Sequence, residues 1–208
     1  MISSKVYFVD DDEFFLNTCS QILRRAGLEV LTYLSAEELL RDLEPDSAGC
    51  ILADLDMPTM NGLSLQKAVQ QSSNPLPFVF LTACADIPSS VQAMRYGAED
   101  FLTKGSSKDV LITAIHRAFA RNEEERIARA KKSNTRQMLA LLTDREREVL
   151  KHVIQGKLNK QIADDLSIHE RTVKLHRTSI TTKLGMPSVA ELTKFWIEAE
   201  SSKDYGDK

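Results

Sequence analysis

The sequence predicts an α/β domain built on a parallel five-stranded sheet, followed by a smaller all-α domain of four helices. Three observations support this. Short apolar runs alternate with helical stretches over the first 120 or so residues. Four of those runs stop at polar groups: Asp10 and Asp11, Asp54, Thr82 and Lys104. Beyond residue 140 the strand pattern gives way to closely spaced helix caps.

The first run, residues 6–9, reads as a buried strand, and Phe14, Phe15, Cys19, Ile22 and Leu23 then recur at helical spacing up to Gly27. Residues 28–33 form a second strand. Ser35-Ala36-Glu37-Glu38 has the capping-box form for a helix carrying Leu39, Leu40 and Leu43. The third strand, 50–53, ends at Asp54, and residues 57–62, with Pro58 and Gly62, are loop chemistry before a helix over 63–71. Pro75 to Pro77 opens a fourth strand over 78–81, residues 87–96 form the fourth helix, the fifth strand holds Phe101 and Leu102, and Ser107 starts a fifth helix. Five strands alternating with five helices predict a doubly wound sheet of flavodoxin-like (βα)5 order. In such sheets ligands bind at the C-terminal strand ends, where three carboxylates, a hydroxyl and an ammonium would gather; acids suit a divalent cation, and Thr and Lys suit phosphate oxygens.

Residues 121–136 are charge-rich and free of Pro and Gly, so they prolong the fifth helix before it frays into a linker. Thr143-Asp144-Arg145-Glu146 is a second capping box, followed by Val149, Leu150 and Val153 up to Gly156. A short helix over 159–166, a turn at Ser167-Ile168-His169, a longer helix over 170–184 ended by Gly185, and a last helix capped at Ser188 complete a helix-turn-helix pattern. At 100° per residue, Val173, Ile180 and Leu184 share one face of the long helix, flanked by His176 and Arg177, and pack on Ile162, Ala163, Leu166 and Ile168. Arg171, Lys174, Leu175, Thr178 and Thr182 face outward, as a major-groove reader requires.

The chain has 208 residues and a formal charge of −3, unevenly placed: residues 1–120 carry 9 Lys+Arg against 16 Asp+Glu, and the remainder 18 against 14. An acidic half suits a cation site and a basic half a polyanion partner. The three cysteines, Cys19, Cys50 and Cys84, lack metal-ligand spacing and read as reduced thiols in or beside apolar segments. With no membrane-length apolar run and no signal-peptide pattern, a soluble cytoplasmic protein without a membrane partner is expected.

These motifs resemble a known family. Residues 1–120 are similar to the receiver domain of two-component response regulators, through Val9-Asp10-Asp11, Ala53-Asp54-Leu55-Asp56-Met57-Pro58, Gly62, Leu81-Thr82-Ala83, Ala93-Met94 with Gly97-Ala98, and Phe101 with Lys104. Residues 141–200 resemble the LuxR-type helix-turn-helix, through Leu142-Thr143, Arg145-Glu146, Val149-Leu150, Gly156, residues 159–163 and residues 172–177. The combination is that of the FixJ/NarL class, with a helical linker over 121–140 and a disordered tail over 201–208.

The resemblance implies that Asp54 accepts a phosphoryl group from a sensor histidine kinase, with Thr82 and Lys104 holding phosphoryl oxygens. It implies Mg²⁺ on Asp11, Asp54 and the main-chain carbonyl of Asp56, with Asp10 acting partly through water. Thr82 and Phe101 would be the switch, and a reshaped face including Val91, Arg95 and Phe101 would form a homodimer on phosphorylation. Lys160, Arg171, Thr172, Lys174, Leu175, Arg177 and Thr178 would contact double-stranded promoter DNA to regulate transcription, with RNA polymerase a further partner.

Three departures stand out. Lys104 is followed by Gly105, where the family usually has a cis proline; a non-proline cis bond costs roughly 2.5–4 kcal/mol, so a trans loop is expected. His169 stands where the family often has a Ser cap, which leaves the long helix less firmly started. Asp56 and Cys84 occupy rim positions from which they would tune phosphoryl lifetime. Two other readings stay open. Asp54-Leu55-Asp56 is similar to the nucleophile motif of haloacid-dehalogenase-type Mg-dependent phosphohydrolases, although Met57-Pro58 follows it. The other is a DNA-binding regulator that works without phosphorylation.

Overall fold

The computed structural model describes residues 4–83 and 87–201, and the chain divides into two compact units at residues 126 and 127. Cys84 and residues 202–208, for which a rim role and disorder were expected, lie outside the described residues.

The first unit alternates β1 (Lys5–Val9), α1 (Glu13–Arg25), β2 (Glu29–Tyr33), α2 (Ala36–Asp42), β3 (Gly49–Ala53), α3 (Gly62–Gln70), β4 (Phe78–Thr82), α4 (Ile87–Arg95), β5 (Asp100–Thr103) and α5 (Lys108–Ala140). The sheet has the order β2-β1-β3-β4-β5 with every pairing parallel, the expected flavodoxin-like arrangement. All residues of β3 and β4 are buried, because helices cover both faces of the sheet. Period-two alternation divides their side chains. Tyr7, Val9, Ile51, Ala53, Phe78 and Phe80 pack with Leu39, Leu65, Val69 and Ala93 on one face. Val6, Phe8, Cys50, Leu52, Val79 and Leu81 pack with Leu16, Leu23, Leu111 and Ile115 on the other. Cys19 and Cys50 are buried free thiols; burial pushes the Cys19 thiol up to about 11, and Cys50 also upward.

Where β3 begins, Gly49 has φ +131°, and a Cβ there would lie 1.8 Å from the Lys5 carbonyl oxygen of the neighbouring strand, so only glycine fits. Its N–H donates to Oδ1 of the buried Asn122 on α5 at 3.0 Å.

α4 is the least embedded helix of this unit. Ala93 is its one buried side chain, while Ile87 is 79% exposed and Val91 and Met94 are also exposed. Its C-terminal end is held by the buried amide of Gln66, which donates to the carbonyls of Ala93 and Tyr96, each at 3.2 Å.

α5 runs without a break to Ala140, through the segment expected as a helical linker and without fraying beyond residue 136. Neither Pro nor Gly interrupts it, Arg121–Glu125 and Glu123–Arg126 pair along its surface, and Met138 and Leu139 find apolar packing in the second unit. No helix among the described residues is long and apolar enough to cross a membrane.

The second unit contains α6 (Asp144–Ile154), α7 (Asn159–Leu166), α8 (Glu170–Leu184) and α9 (Val189–Ser201). They surround a core of Leu142, Val149, Leu150, Ile162, Val173, Ile180, Leu184 and Trp196, among others. Ser167 closes α7 in the left-handed conformation, φ 52° and ψ 47°, and Ile168 N–H returns to the Ala163 carbonyl, forming the tight turn into α8. His169 caps α8 without a side-chain hydrogen bond, as its departure from Ser implied.

Glu146 is the polar centre of this unit. The Thr143 N–H and hydroxyl and the Lys183 ammonium donate to its Oε2 at 2.7, 3.0 and 2.7 Å, and the Ser179 hydroxyl donates to Oε1 at 2.6 Å. One buried carboxylate therefore closes the capping box of α6 and ties that helix to α8. Burial alone would raise its pKa, but the hydrogen bonds from Lys183, Ser179 and Thr143 outweigh this and hold it at about 2.

Gly49→Ala should destabilise the first unit by more than about 1–3 kcal/mol, read as a lower denaturant midpoint with an unchanged m-value. Glu146 is more acidic folded than unfolded, so the second unit should lose stability as pH falls from about 4.5 toward 2. Glu146→Gln should flatten that acid limb, as followed by Trp196 fluorescence, and Glu146→Ala should cost roughly 2–3 kcal/mol at neutral pH.

Candidate functional site

The parallel sheet brings the ends of β1, β3, β4 and β5 to one edge, and each end delivers an expected group. Asp10 follows β1 and is fully buried, and its Oδ1 accepts the Asp12 N–H at 3.0 Å. Asp12 in turn caps α1 by accepting the Phe15 N–H at 3.0 Å, so the turn carrying Asp10 and Asp11 is fixed by local hydrogen bonds. Asp54 follows β3, and its Oδ1 accepts the Leu55 N–H at 2.6 Å. Gly62 passes directly beneath: its N–H donates to the Leu55 carbonyl, and a Cβ would lie 2.4 Å from the Asp54 carbonyl oxygen. Thr82 ends β4 and is buried. Lys104 follows β5, with its N–H donating to the Thr82 carbonyl at 2.8 Å.

The Lys104 ammonium lies 2.7 Å from Asp10 Oδ2 and 3.0 Å from Asp54 Oδ2, with a side chain only 16% exposed. No cis peptide bond is present among the described residues, so the trans loop expected at Gly105 is found, and Lys104 reaches both carboxylates from it. Burial pushes the Asp10 carboxyl above the ordinary carboxylate range, with Lys104 and the Asp12 N–H opposing it. Burial also disfavours the Lys104 ammonium, but its hydrogen bonds and charge pairing with Asp10 and Asp54 raise its pKa overall.

Asp10, Asp11 and Asp54 each bring a carboxylate oxygen within 4.8 Å of the other two. Three convergent hard oxygens with one exposed member fit a hard divalent cation that retains water ligands, as Mg²⁺ does. The Asp56 side chain is exposed and outside this group. Phe101 is half-buried, its ring 5.8 Å from that of Phe80.

In the second unit, Arg171, Lys174, Leu175 and Thr178 of α8 are exposed, as is Lys160 of α7; Leu175 is 64% exposed. Val173, Ile180 and Leu184 are buried beneath them, so the two faces divide as the helical spacing predicts. Thr172 is half-buried. Thr178 Oγ1 donates to the Lys174 carbonyl and Lys174 pairs with Glu170 at 3.3 Å. Arg177 is half-buried and donates to Asn159 Oδ1 at 2.9 Å, bracing the start of α7 against α8.

Sequence reasoning missed two contributors. Asp12 was readable as the N-cap of the helix that follows it. Phe15 was placed in the apolar stripe of α1, where its proximity to a charge left no signal; its ring centre is 4.5 Å from the Lys104 ammonium.

Comparison with known proteins agrees with both halves. Residues 6–116 match the response regulator receiver domain, and residues 140–196 match the bacterial regulatory proteins of the luxR family. The chain is 35% identical over 192 residues to response regulator protein TodT of Pseudomonas putida F1, covering 92% of this chain and 85% of that one. It is 32% identical over 199 residues to transcriptional regulatory protein FixJ of Bradyrhizobium diazoefficiens, covering 96% and 97%. Among solved structures, response regulator StyR superposes with a TM-score of 0.88 at 39% identity, covering 94% and 99%. The receiver match sets aside the phosphohydrolase reading of Asp54-Leu55-Asp56. From its two matched domains in this order, the chain belongs to the response regulators that join a receiver domain to a LuxR-family DNA-binding domain and regulate transcription.

Proposed function

We propose that Asp54 is the phosphoacceptor for a sensor histidine kinase and that its phosphorylation drives dimerisation and promoter binding. The observation that carries this reading is the Lys104 ammonium held between Asp10 and Asp54 beside the exposed Asp11, at the C-terminal edge of a parallel sheet. In the transfer, an Asp54 carboxylate oxygen forms a bond to phosphorus as the phosphorus–nitrogen bond of the donor phosphohistidine breaks and the imidazole leaves. Mg²⁺, when held by Asp10, Asp11, Asp54 and the Asp56 main-chain carbonyl, supplies positive charge against the repulsion between carboxylate and phosphoryl group. Lys104 then pairs with a phosphoryl oxygen, and Thr82 hydrogen-bonds another.

Thr82 and Phe101 are the switch: movement of Thr82 toward the phosphoryl group leaves space for the Phe101 ring to turn inward. The face around Val91, Arg95 and Phe101 changes shape and dimerises. Val91 is already exposed on the sparsely packed α4, which favours such a rearrangement. In the DNA-binding domain, α8 enters the major groove, with Arg171, Lys174, Leu175 and Thr178 at base edges and phosphates. Lys160, Thr172 and Arg177 contact the backbone. Asp56, exposed two residues after Asp54, and Cys84, two residues after Thr82 in the sequence, set the lifetime of the phosphoryl group.

A small phosphodonor with Mg²⁺ should shift the wild-type chain toward dimer on size-exclusion chromatography and tighten operator binding by about 5- to 150-fold, and Asp54→Asn should do neither. Equal dimerisation and DNA affinity in the two proteins, with and without donor, would instead support a regulator that works without phosphorylation. On operator DNA, Lys160→Ala should weaken binding across all sequences and lower the salt slope by about 1, whereas Leu175→Ala should reduce discrimination at one base pair, as measured by titration at several salt concentrations.

A further inference from the structure

We propose that Phe15 is a positioning residue for Lys104, holding its ammonium against the carboxylates through the face of an aromatic ring. The inference rests on the phosphoacceptor reading of Asp54 and adds a residue to it.

The backbone around Lys104 is held by hydrogen bonds, with Ser106 N–H donating to the Thr103 carbonyl at 2.9 Å, so the place of the ammonium is decided at the far end of the side chain. The Lys104 backbone N–H is tied to the Thr82 carbonyl, and the loop continues into Gly105, which carries no side chain to pack beside it and where a Cβ would meet no atom within 4 Å. The far end of the side chain is held by Asp10 and Asp54 on one side and by the Phe15 ring, 4.5 Å from Nζ to centroid, on the other. That separation is well within cation–π range, and the interaction strengthens where water is excluded, as it is around a side chain only 16% exposed. The ring is itself constrained. Phe15 sits in the first turn of α1, which Asp12 caps through the Phe15 N–H, and the ring meets Phe8 edge-on at 6.2 Å and 82°.

The arrangement bears on transfer because the carboxylates alone would hold Lys104 in the wrong place for the later step. To pair with a phosphoryl oxygen, the ammonium must loosen its hold on Asp10 and Asp54. The ring face attracts the cation without competing for a metal or a phosphoryl oxygen, so it can keep the ammonium beside the site as its anionic partners change.

The test compares wild type, Phe15→Leu and Phe15→Tyr, each also in a Lys104→Met background. The first readout is the chemical shift of the Lys104 CεH2 protons, on the carbon bonded to the ammonium that lies 4.5 Å from the ring centre. They should be moved upfield by ring current in wild type and Phe15→Tyr and return to ordinary lysine values in Phe15→Leu. The second is the rate of phosphoryl uptake from phosphoramidate with Mg²⁺, in which the Asp54 oxygen–phosphorus bond forms as the phosphorus–nitrogen bond breaks and ammonia leaves. Phe15→Leu should slow uptake roughly 3- to 10-fold, Phe15→Tyr should restore it, and neither should matter once Lys104 is Met. An unchanged Lys104 shift in Phe15→Leu, or an equal slowing in the Lys104→Met background, overturns the proposal. Uptake indifferent to Phe15 overturns it alone, whereas a wild-type chain that takes up no phosphoryl group overturns the phosphoacceptor reading together with it.

Discussion

The Lys104 ammonium shares two carboxylates that could not easily coexist without it. Asp10 is fully buried and Asp54 nearly so, and an isolated carboxylate at such depth would cost several kcal/mol. The pairing at 2.7 and 3.0 Å makes the acidic edge stable before any ligand arrives, and it joins the ends of β1, β3 and β5 through one side chain. Much of the surrounding architecture serves to keep those three ends in register. The Asp12 cap fixes the turn after β1, Gly62 lets the α3 turn pass beneath Asp54, and the Thr82 carbonyl receives Lys104's backbone N–H. Apolar layers on both faces of the sheet, with the buried amides of Gln66 and Asn122 among them, support this edge.

The DNA-binding domain solves a related problem with the opposite sign of charge at its centre. Here the buried group is the Glu146 carboxylate, and the donors come from the start of α6 and from α8. Ser179 and Lys183 lie on the flank of α8 away from its exposed cationic face, so the same helix is anchored by one set of polar groups and presents another. The exposed cationic face of α8 is therefore braced by a carboxylate that does not lie on that face.

What the sequence made legible is what repeats or ends. The unbroken apolar runs of β3 and β4, the strand-end positions of Asp10, Asp54, Thr82 and Lys104, and the caps at Ser35 and Thr143 are local patterns, and the structure reproduces them. The family match came from the same residues. Contacts between distant positions left no such trace. Glu146 was readable as half of a capping box, but its bonds to Ser179 and Lys183 join residues 33 and 37 positions away. Gln66 sits between Leu65 and Lys67 with nothing to show that its amide is buried against the end of α4. Helical spacing placed Phe15 on the inward face of α1, but a helical wheel has no axial coordinate, so it could not show a cation over the ring. The helical linker over 121–140 was legible from its charge pattern, whereas the packing of Met138 and Leu139 at its end is tertiary and was not.

The sparse packing of α4 has an energetic meaning apart from any particular partner. A helix with one buried side chain, Ala93, and a C-terminal end tied to the Gln66 amide buries less apolar surface than the sheet it flanks, which places it among the elements that open at lower free energy. For a helix packed this thinly, a group that distinguishes two positions by about 5.5 kcal/mol would suffice to shift the balance from one part in a hundred to ninety-nine. The thinly packed element and the fully buried strands that carry the carboxylates thus stand side by side in one domain, so a load on the edge meets its least resistance in α4.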